Sequence, residues 1–280
     1  MNTSWRSLTW LLITRSNSSV TENAPRWNSK FEVKPGSWVY VPTKQVADYG
    51  RQVHNELLKR YSCPHYYFHL QSGGHLAALH HHINDHFFAH LDIKNFFGSI
   101  SRTRITRSLK DILSYRIARD VAKKSTVPVS NGQGHSHCLP YGFVQSPILA
   151  SICLHRSHFG KVIDKLHQTG YVRISLYMDD LIVSGMNEAI TKMAFELLKK
   201  SASKSHFELN ATKEAKQQPQ IECFNIFLSH RLLEITHHRL IEFSARYNAN
   251  DNRFVREGII GYIKSVNPTQ LTVFNQLTSI

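Results

Sequence analysis

The sequence is poor in cysteine: four in 280 residues (Cys63, Cys138, Cys153, Cys223), far apart and with no CxxC pair. That argues against a zinc ribbon or a disulfide scaffold and suits a reducing cytoplasm. It also lacks a long hydrophobic run near its start. Leu8 to Ile13 is too short for a signal-peptide core or a membrane span, so a soluble cytoplasmic protein with no membrane partner is expected. Acidic residues are scarce, 20 Asp and Glu against 34 Lys and Arg, for a net charge of +14. Such a deficit favours a polyanionic partner, nucleic acid before an acidic membrane. No internal repeat or low-complexity tract is present. What is there is a globular composition, 41% hydrophobic with 15 Phe and 11 Tyr, enough to bury a large core. At about 150 residues per domain, one large or two to three small lobes are expected.

Residues 1–30 are polar and rich in Asn and Ser after the short apolar run, and read as a loose N-terminal arm. "SWVYVPT" (37–43) alternates as a strand and stops at Pro42. Residues 44–61 carry Val46, Val53, Leu57 and Leu58 at helical spacing. A helix is expected over 72–85 after a glycine pair, and a buried strand from 87 ending near Asp92. A basic helical region (101–124) and a Gly/Ser/Asn-rich loop (125–138) follow, then one long helix over 147–168 starting at Pro147, where proline is tolerated. Two strands span 171–185. An amphipathic helix over 187–205 has Ile190, Met193, Ala194, Leu197 and Leu198 on one stripe. Short strands are expected in "HFELN" (206–210) and 222–235, and helix from 253 onward. This order suits an α+β domain with a split βαβ sheet.

The two strands at 171–185 meet at "YMDD" (177–180), where Asp179 and Asp180 stand between the apolar runs Leu176–Met178 and Leu181–Val183. Two carboxylates in a hydrophobic hairpin are costly to desolvate without a partner. If Asp92 ends a neighbouring strand, three carboxylates converge on one point, and a pair of divalent cations is the missing partner. Oxygen ligands suit Mg²⁺, and two ions about 4 Å apart clamp the attacking and leaving oxygens of an in-line displacement.

"DIKNFF" (92–97), "LPYGFVQSPILAS" (139–151) and "YMDD" resemble motifs A, B and C of reverse transcriptases, in the right order. The likeness covers roughly residues 35 to 270. "GFVQSPILAS" and "GYIKSVNP" are more similar to bacterial reverse transcriptases of the abortive-infection and antiphage-defence groups than to retroviral enzymes. The resemblance implies a right-hand polymerase: N-terminal arm and fingers (1–85), palm (86–235) with a fingers insertion at about 101–137, and a helical thumb (236–280), with no RNase H or integrase tail beyond it. It implies RNA-directed DNA synthesis from dNTPs with two Mg²⁺ ions (Mn²⁺ as a substitute), a noncoding RNA template, a DNA product, and oligomers with itself or other defence proteins. Asp92 and Asp179 would ligate both metals, Asp180 would complete the site, and the Ile93 carbonyl would add a ligand. Phe97 matches the steric gate that excludes a ribose 2′-OH. Lys213 in "LNATK" matches the motif D lysine, a proton donor to pyrophosphate. Lys44 and Arg51 are candidates for the triphosphate, and Gln145 of motif B for the nucleotide. "FNIFLSH" (224–230) resembles the primer grip.

One position departs from the family pattern. Tyr141 stands where LPQG has a nucleotide-contacting glutamine. A π-face is tolerant of base identity, so Tyr141 implies nucleotide addition under weak template control. The alternative is that it packs beside the helix at Pro147 and copying is ordinary. Rival functions are a template-independent or protein-primed polymerase of the same fold, a retron-type enzyme or intron maturase, and a catalytically silent RNA-binding scaffold. The histidine-rich "HHH" (80–82) falls on a helix, where adjacent residues point apart, and is expected at the surface or on nucleic acid. "HSHC" (135–138) has no spaced fourth zinc ligand.

Overall fold

The computed structural model describes residues 25–34, 36–129 and 136–278. It divides into two compact units. The first holds the chain through Pro64, Lys94–Lys161 and Lys204–Glu208; the second holds His65–Ile93, Val162–Ser203 and Leu209–Ile280. The elements in chain order are β1 (Trp27–Lys34), β2 (Ser37–Pro42), α1 (Lys44–Arg60), α2 (Gly74–His82), β3 (Phe87–Asp92), α3 (Arg102–Leu109), α4 (Tyr115–Lys124), β4 (Val127–Pro128), β5 (His137–Cys138), α5 (Ser146–His155), α6 (His158–Thr169), β6 (Arg173–Tyr177), β7 (Asp180–Gly185), α7 (Glu188–Lys204), β8 (Ala215–Gln218), β9 (Gln220–Cys223), β10 (Ile226–Ser229), β11 (Leu232–Ile235), α8 (His237–Asn248), α9 (Arg253–Val266) and α10 (Gln270–Thr278).

In the second unit a four-stranded sheet runs β6-β7-β3-β8. β7 is antiparallel to both β6 and β3, so β3 and β6 are parallel with β7 inserted between them, the expected split βαβ arrangement. β3 is buried along nearly its whole length, on both faces. Leu79 of α2, Phe88 of β3 and Ile182 of β7 share one core with the β9–β11 meander and with Leu240, Ile263 and Phe274 from the last three helices. In the first unit the β1–β2 hairpin packs Trp27, Trp38 and Tyr40 with Val127 and Phe143.

Several elements depart from the sequence reading. β1 extends over residues assigned in part to the N-terminal arm; the rest of that arm, through residue 24, lies outside the described residues. The single helix over 147–168 is two. Ser157 accepts from Gly160 N–H and donates to Leu154 O, acting as a cap, and Gly160 sits so close to the carbonyls of Leu154 and His155 that a Cβ there would overlap them. β8 is a strand that local pattern does not mark: "AKQQ" is polar and has weak strand propensity, but it pairs along the free side of β3. "HFELN" forms only the bridge Leu209↔Ile93. On α7 the buried stripe is Thr191, Ala194, Phe195, Leu198, Ser201 and Ala202, whereas Met193 and Leu197 are exposed. Leu58 on α1 is likewise exposed. His82 is not a surface residue: it is fully buried, with its ring nitrogens on Ser184 Oγ (2.6 Å) and Ser175 Oγ (2.8 Å). Of "HSHC", His135 lies outside the described residues, and His137 and Cys138 form β5.

Candidate active site

The β6–β7 hairpin pairs Leu176 with Leu181 and Tyr177 with Asp180, which leaves Met178 and Asp179 as a two-residue turn. Met178 takes a left-handed φ of +59°, unusual for a side chain of its size. Its N–H donates to Nδ1 of His69 at 3.0 Å. Burial pushes the His69 imidazole down to about 4, so the ring stays neutral and Nδ1 remains an acceptor near neutral pH. The turn's shape is thus held by an aromatic residue more than a hundred positions away in the chain.

β3 brings the third acid. Asp92 lies directly opposite Asp180 across the β3–β7 ladder, and Ile93 N–H extends the pairing by donating to Asp179 O at 2.9 Å. Asp92 is buried, and its Oδ2 accepts from Lys213 Nζ at 2.6 Å. Lys213 is delivered by a tight turn in which Asn210 Oδ1 caps Thr212 N–H and Oγ1 while Asn210 N–H bonds Asp92 O. Partial burial lowers the Lys213 ammonium, but the hydrogen bond to Asp92 and the charges of all three acids outweigh it and raise it overall. Burial, then the adjacent Asp180 and more distant Asp92, push the Asp179 carboxyl up to about 6. Three carboxylates against one ammonium leave a negative excess in a partly desolvated place, a donor set that fits oxygen-seeking divalent cations.

His90 is the neighbour that sequence reasoning overlooked. Its Nε2 lies 2.8 Å from Asp180 Oδ1 and its Nδ1 3.1 Å from the Lys213 carbonyl. Two residues before Asp92 on a strand, it shares that residue's face, a periodicity visible in "AHLD". Cys223 completes the surroundings: His90, Asp180 and Cys223 have ligand atoms all within 4.8 Å of one another. Among the described residues this trio, rather than Asp92, Asp179 and Asp180, has the spacing of a shared single-ion site.

The first unit contains the other candidates. Phe97 is buried, and its ring stands edge-on to Tyr141 with centroids 4.7 Å apart. Tyr141 O accepts from Tyr40 N–H at 2.9 Å, and Gly142 follows at φ +98°, where a Cβ would overlap the Tyr40 carbonyl. Gln145 is fully buried, donating to Ser125 Oγ at 3.2 Å, and its carbonyl oxygen crowds Gly50 of α1. Lys44 and Arg51 both pair with Asp48 on the exposed face of α1.

The sequence profile of the reverse transcriptase (RNA-dependent DNA polymerase) family matches residues 36–225, about two thirds of the chain. The chain belongs to the reverse transcriptase family. No curated protein matches it. Similar solved structures include a foamy viral protease–reverse transcriptase in complex with double-stranded DNA, at 17% identity and a TM-score of 0.43, covering 85% of this chain and 42% of that one. Another is telomerase from Candida albicans with a fragment of telomeric RNA, at 12% identity and a TM-score of 0.43, covering 98% of this chain and 48% of that one. The chain thus spans less than half the length of either. In this chain the second unit gathers Asp92, Ile93, Asp179, Asp180 and Lys213, and the first unit carries Phe97, Tyr141, Gln145, Lys44 and Arg51. Among the described residues no helix is long and apolar enough to cross a membrane.

Proposed function

We propose that this protein is an RNA-directed DNA polymerase that extends a primer with dNTPs, copying a noncoding RNA in the cytoplasm as part of a bacterial antiviral defence. The observation that carries the reading is the register Asp92↔Asp180 with Asp179 in the adjoining turn and Lys213 on Asp92. Asp92, Asp179 and the Ile93 carbonyl would hold two divalent ions, Mg²⁺ or Mn²⁺, with Asp180 completing the set; when bound, such ions stabilise charge on the attacking and leaving oxygens. The strands fix the carboxylates rigidly, as in-line transfer requires. The primer 3′-OH attacks the α-phosphate and pyrophosphate leaves. Lys213 stays an ammonium near neutral pH, which suits it to give the leaving pyrophosphate a proton. Phe97 would exclude the 2′-OH, and its edge contact with Tyr141 supports the ring's fixed position. In the domain terms of the family, residues 1–85 serve as arm and fingers, 86–235 as palm and 236–280 as thumb. The defence role is supported only by the likeness of "GFVQSPILAS" and "GYIKSVNP" to that group.

The experiment is primer extension on a heteropolymeric RNA template. Wild type should incorporate dNTPs only with Mg²⁺ or Mn²⁺, and Asp92→Asn or Asp179→Asn should lose at least about a thousandfold in rate, since each removes transition-state charge stabilisation. Full activity in either folded variant overturns the assignment. Binding of RNA without any extension by wild type would favour the scaffold reading instead.

A further inference from the structure

We propose that His90, Asp180 and Cys223 form a second metal site, selective for a thiophilic divalent cation of the Zn²⁺ class over Mg²⁺, sharing Asp180 with the carboxylate cluster. The site itself stands on geometry alone; only its effect on polymerisation rests on the function proposed above.

Three observations carry it. First, the ligand atoms, His90 Nε2, an Asp180 carboxylate oxygen and Cys223 Sγ, lie within 4.8 Å of one another. One nitrogen, one oxygen and one sulfur are a set that suits Zn²⁺ and leaves a fourth tetrahedral position open, whereas Mg²⁺ takes oxygen. Second, the far ring nitrogen is already committed. Nδ1 faces the Lys213 carbonyl at 3.1 Å, and a carbonyl can only accept, so Nδ1 carries a hydrogen. This is the outer hydrogen bond that commonly orients a metal-ligating histidine. It leaves Nε2 and Asp180 Oδ1, both with lone pairs, facing each other at 2.8 Å, a contact that needs a proton or a metal cation between them. Third, Cys223 is buried at the end of β9, fixed by a two-residue turn with Phe224 and Asn225 both at positive φ (+58° and +59°). A thiol gives up its proton only to an ion that binds sulfur strongly. Loading the site releases the thiol proton and the proton of the Nε2–Oδ1 contact to solvent, and the cation takes their place. The residues come from three separate stretches: β3, β7 and β9.

The consequence is a switch at one ligand. Asp180 bound between His90 and Cys223 is withdrawn from the carboxylate cluster, so Zn²⁺ should inhibit polymerisation in a way that excess Mg²⁺ does not readily reverse.

The test uses metal-free, reduced full-length protein titrated with Co²⁺ as a spectroscopic stand-in for Zn²⁺. A sulfur-to-cobalt charge-transfer band should saturate at one equivalent and persist in excess Mg²⁺. It should disappear in Cys223→Ser and weaken sharply in His90→Gln, but survive in Asp92→Asn. Circular dichroism verifies that each variant is folded. No band in folded wild type, or an undiminished band in Cys223→Ser from one of the other three thiols, overturns the site. In extension assays, Zn²⁺ should slow wild type at least tenfold, while Cys223→Ser keeps its own zinc-free rate. Equal inhibition of both overturns the switch. A cobalt band with no polymerisation would instead defeat the proposed function and leave the site standing.

Discussion

At Asp179 the cost of gathering acids is measurable. A carboxyl raised to about 6 in the folded protein binds its proton more tightly there than in the unfolded chain. Its contribution to stability is therefore full below about pH 4 and is lost as pH rises through about 6. In EDTA, the melting temperature of wild type should fall relative to Asp179→Asn between pH 4 and pH 7; a constant difference would refute the crowding. Lys213 works the other way. Lys213→Met leaves the buried Asp92 carboxylate without its 2.6 Å partner. It should cost about 1–3 kcal/mol of stability in EDTA, the range for losing a charged hydrogen bond. Chemical denaturation should show that deficit shrinking when Mg²⁺ is added. Phe97→Val should lower dNTP over rNTP discrimination on the order of 10–100-fold, measured by single-nucleotide incorporation. An unchanged ratio would mean Phe97 is only the packing partner of Tyr141.

Among elements, the turn ahead of α5 is the most constrained. Gly142 combines φ +98° with a position where a Cβ would overlap the Tyr40 carbonyl of β2. Gly142→Ala should destabilise by about 2–3 kcal/mol, since strained backbone and displaced packing add. A thermal melt of the variant within a degree of wild type would contradict this. The same turn carries Tyr141, whose ring stands edge-on to Phe97. Sequencing products made with and without template shows whether it also loosens template control.

For the whole molecule, the net charge of +14 predicts binding that is chiefly electrostatic. Neutralising some six phosphates would weaken nucleic-acid affinity by roughly a thousandfold between 50 and 200 mM salt. Fluorescence anisotropy with single-stranded RNA should give that slope, and Asp92→Asn should share it, because its lesion is in chemistry rather than attraction. A flat salt dependence would deny the basic surface its role.

Much of the site was legible in the chain order because its parts are contiguous. "YMDD", "DIKNFF" and "LPYGFVQSP" are short stretches whose residue types and local strand or turn character identify them without a partner. The same holds for the existence and type of β2, α1 and β3, which local pattern marks. Local pattern failed where a distant neighbour supplies the stabilisation. β8 exists because β3 offers it a free hydrogen-bonding edge, α5 and α6 separate at a serine cap and a crowded glycine, and His82 is buried by two serines on β6 and β7. The polar contacts of the site were hidden for the same reason. Lys213 on Asp92, His69 on Met178, and His90 and Cys223 beside Asp180 join residues separated by 43 to 133 positions. Sequence alone determined which motifs stand in the chain and which family it belongs to, because those are properties of contiguous residues. Tertiary structure alone decided which base neutralises which acid and which thiol meets which imidazole, because strand register, absent from any local pattern, brings them within bonding distance.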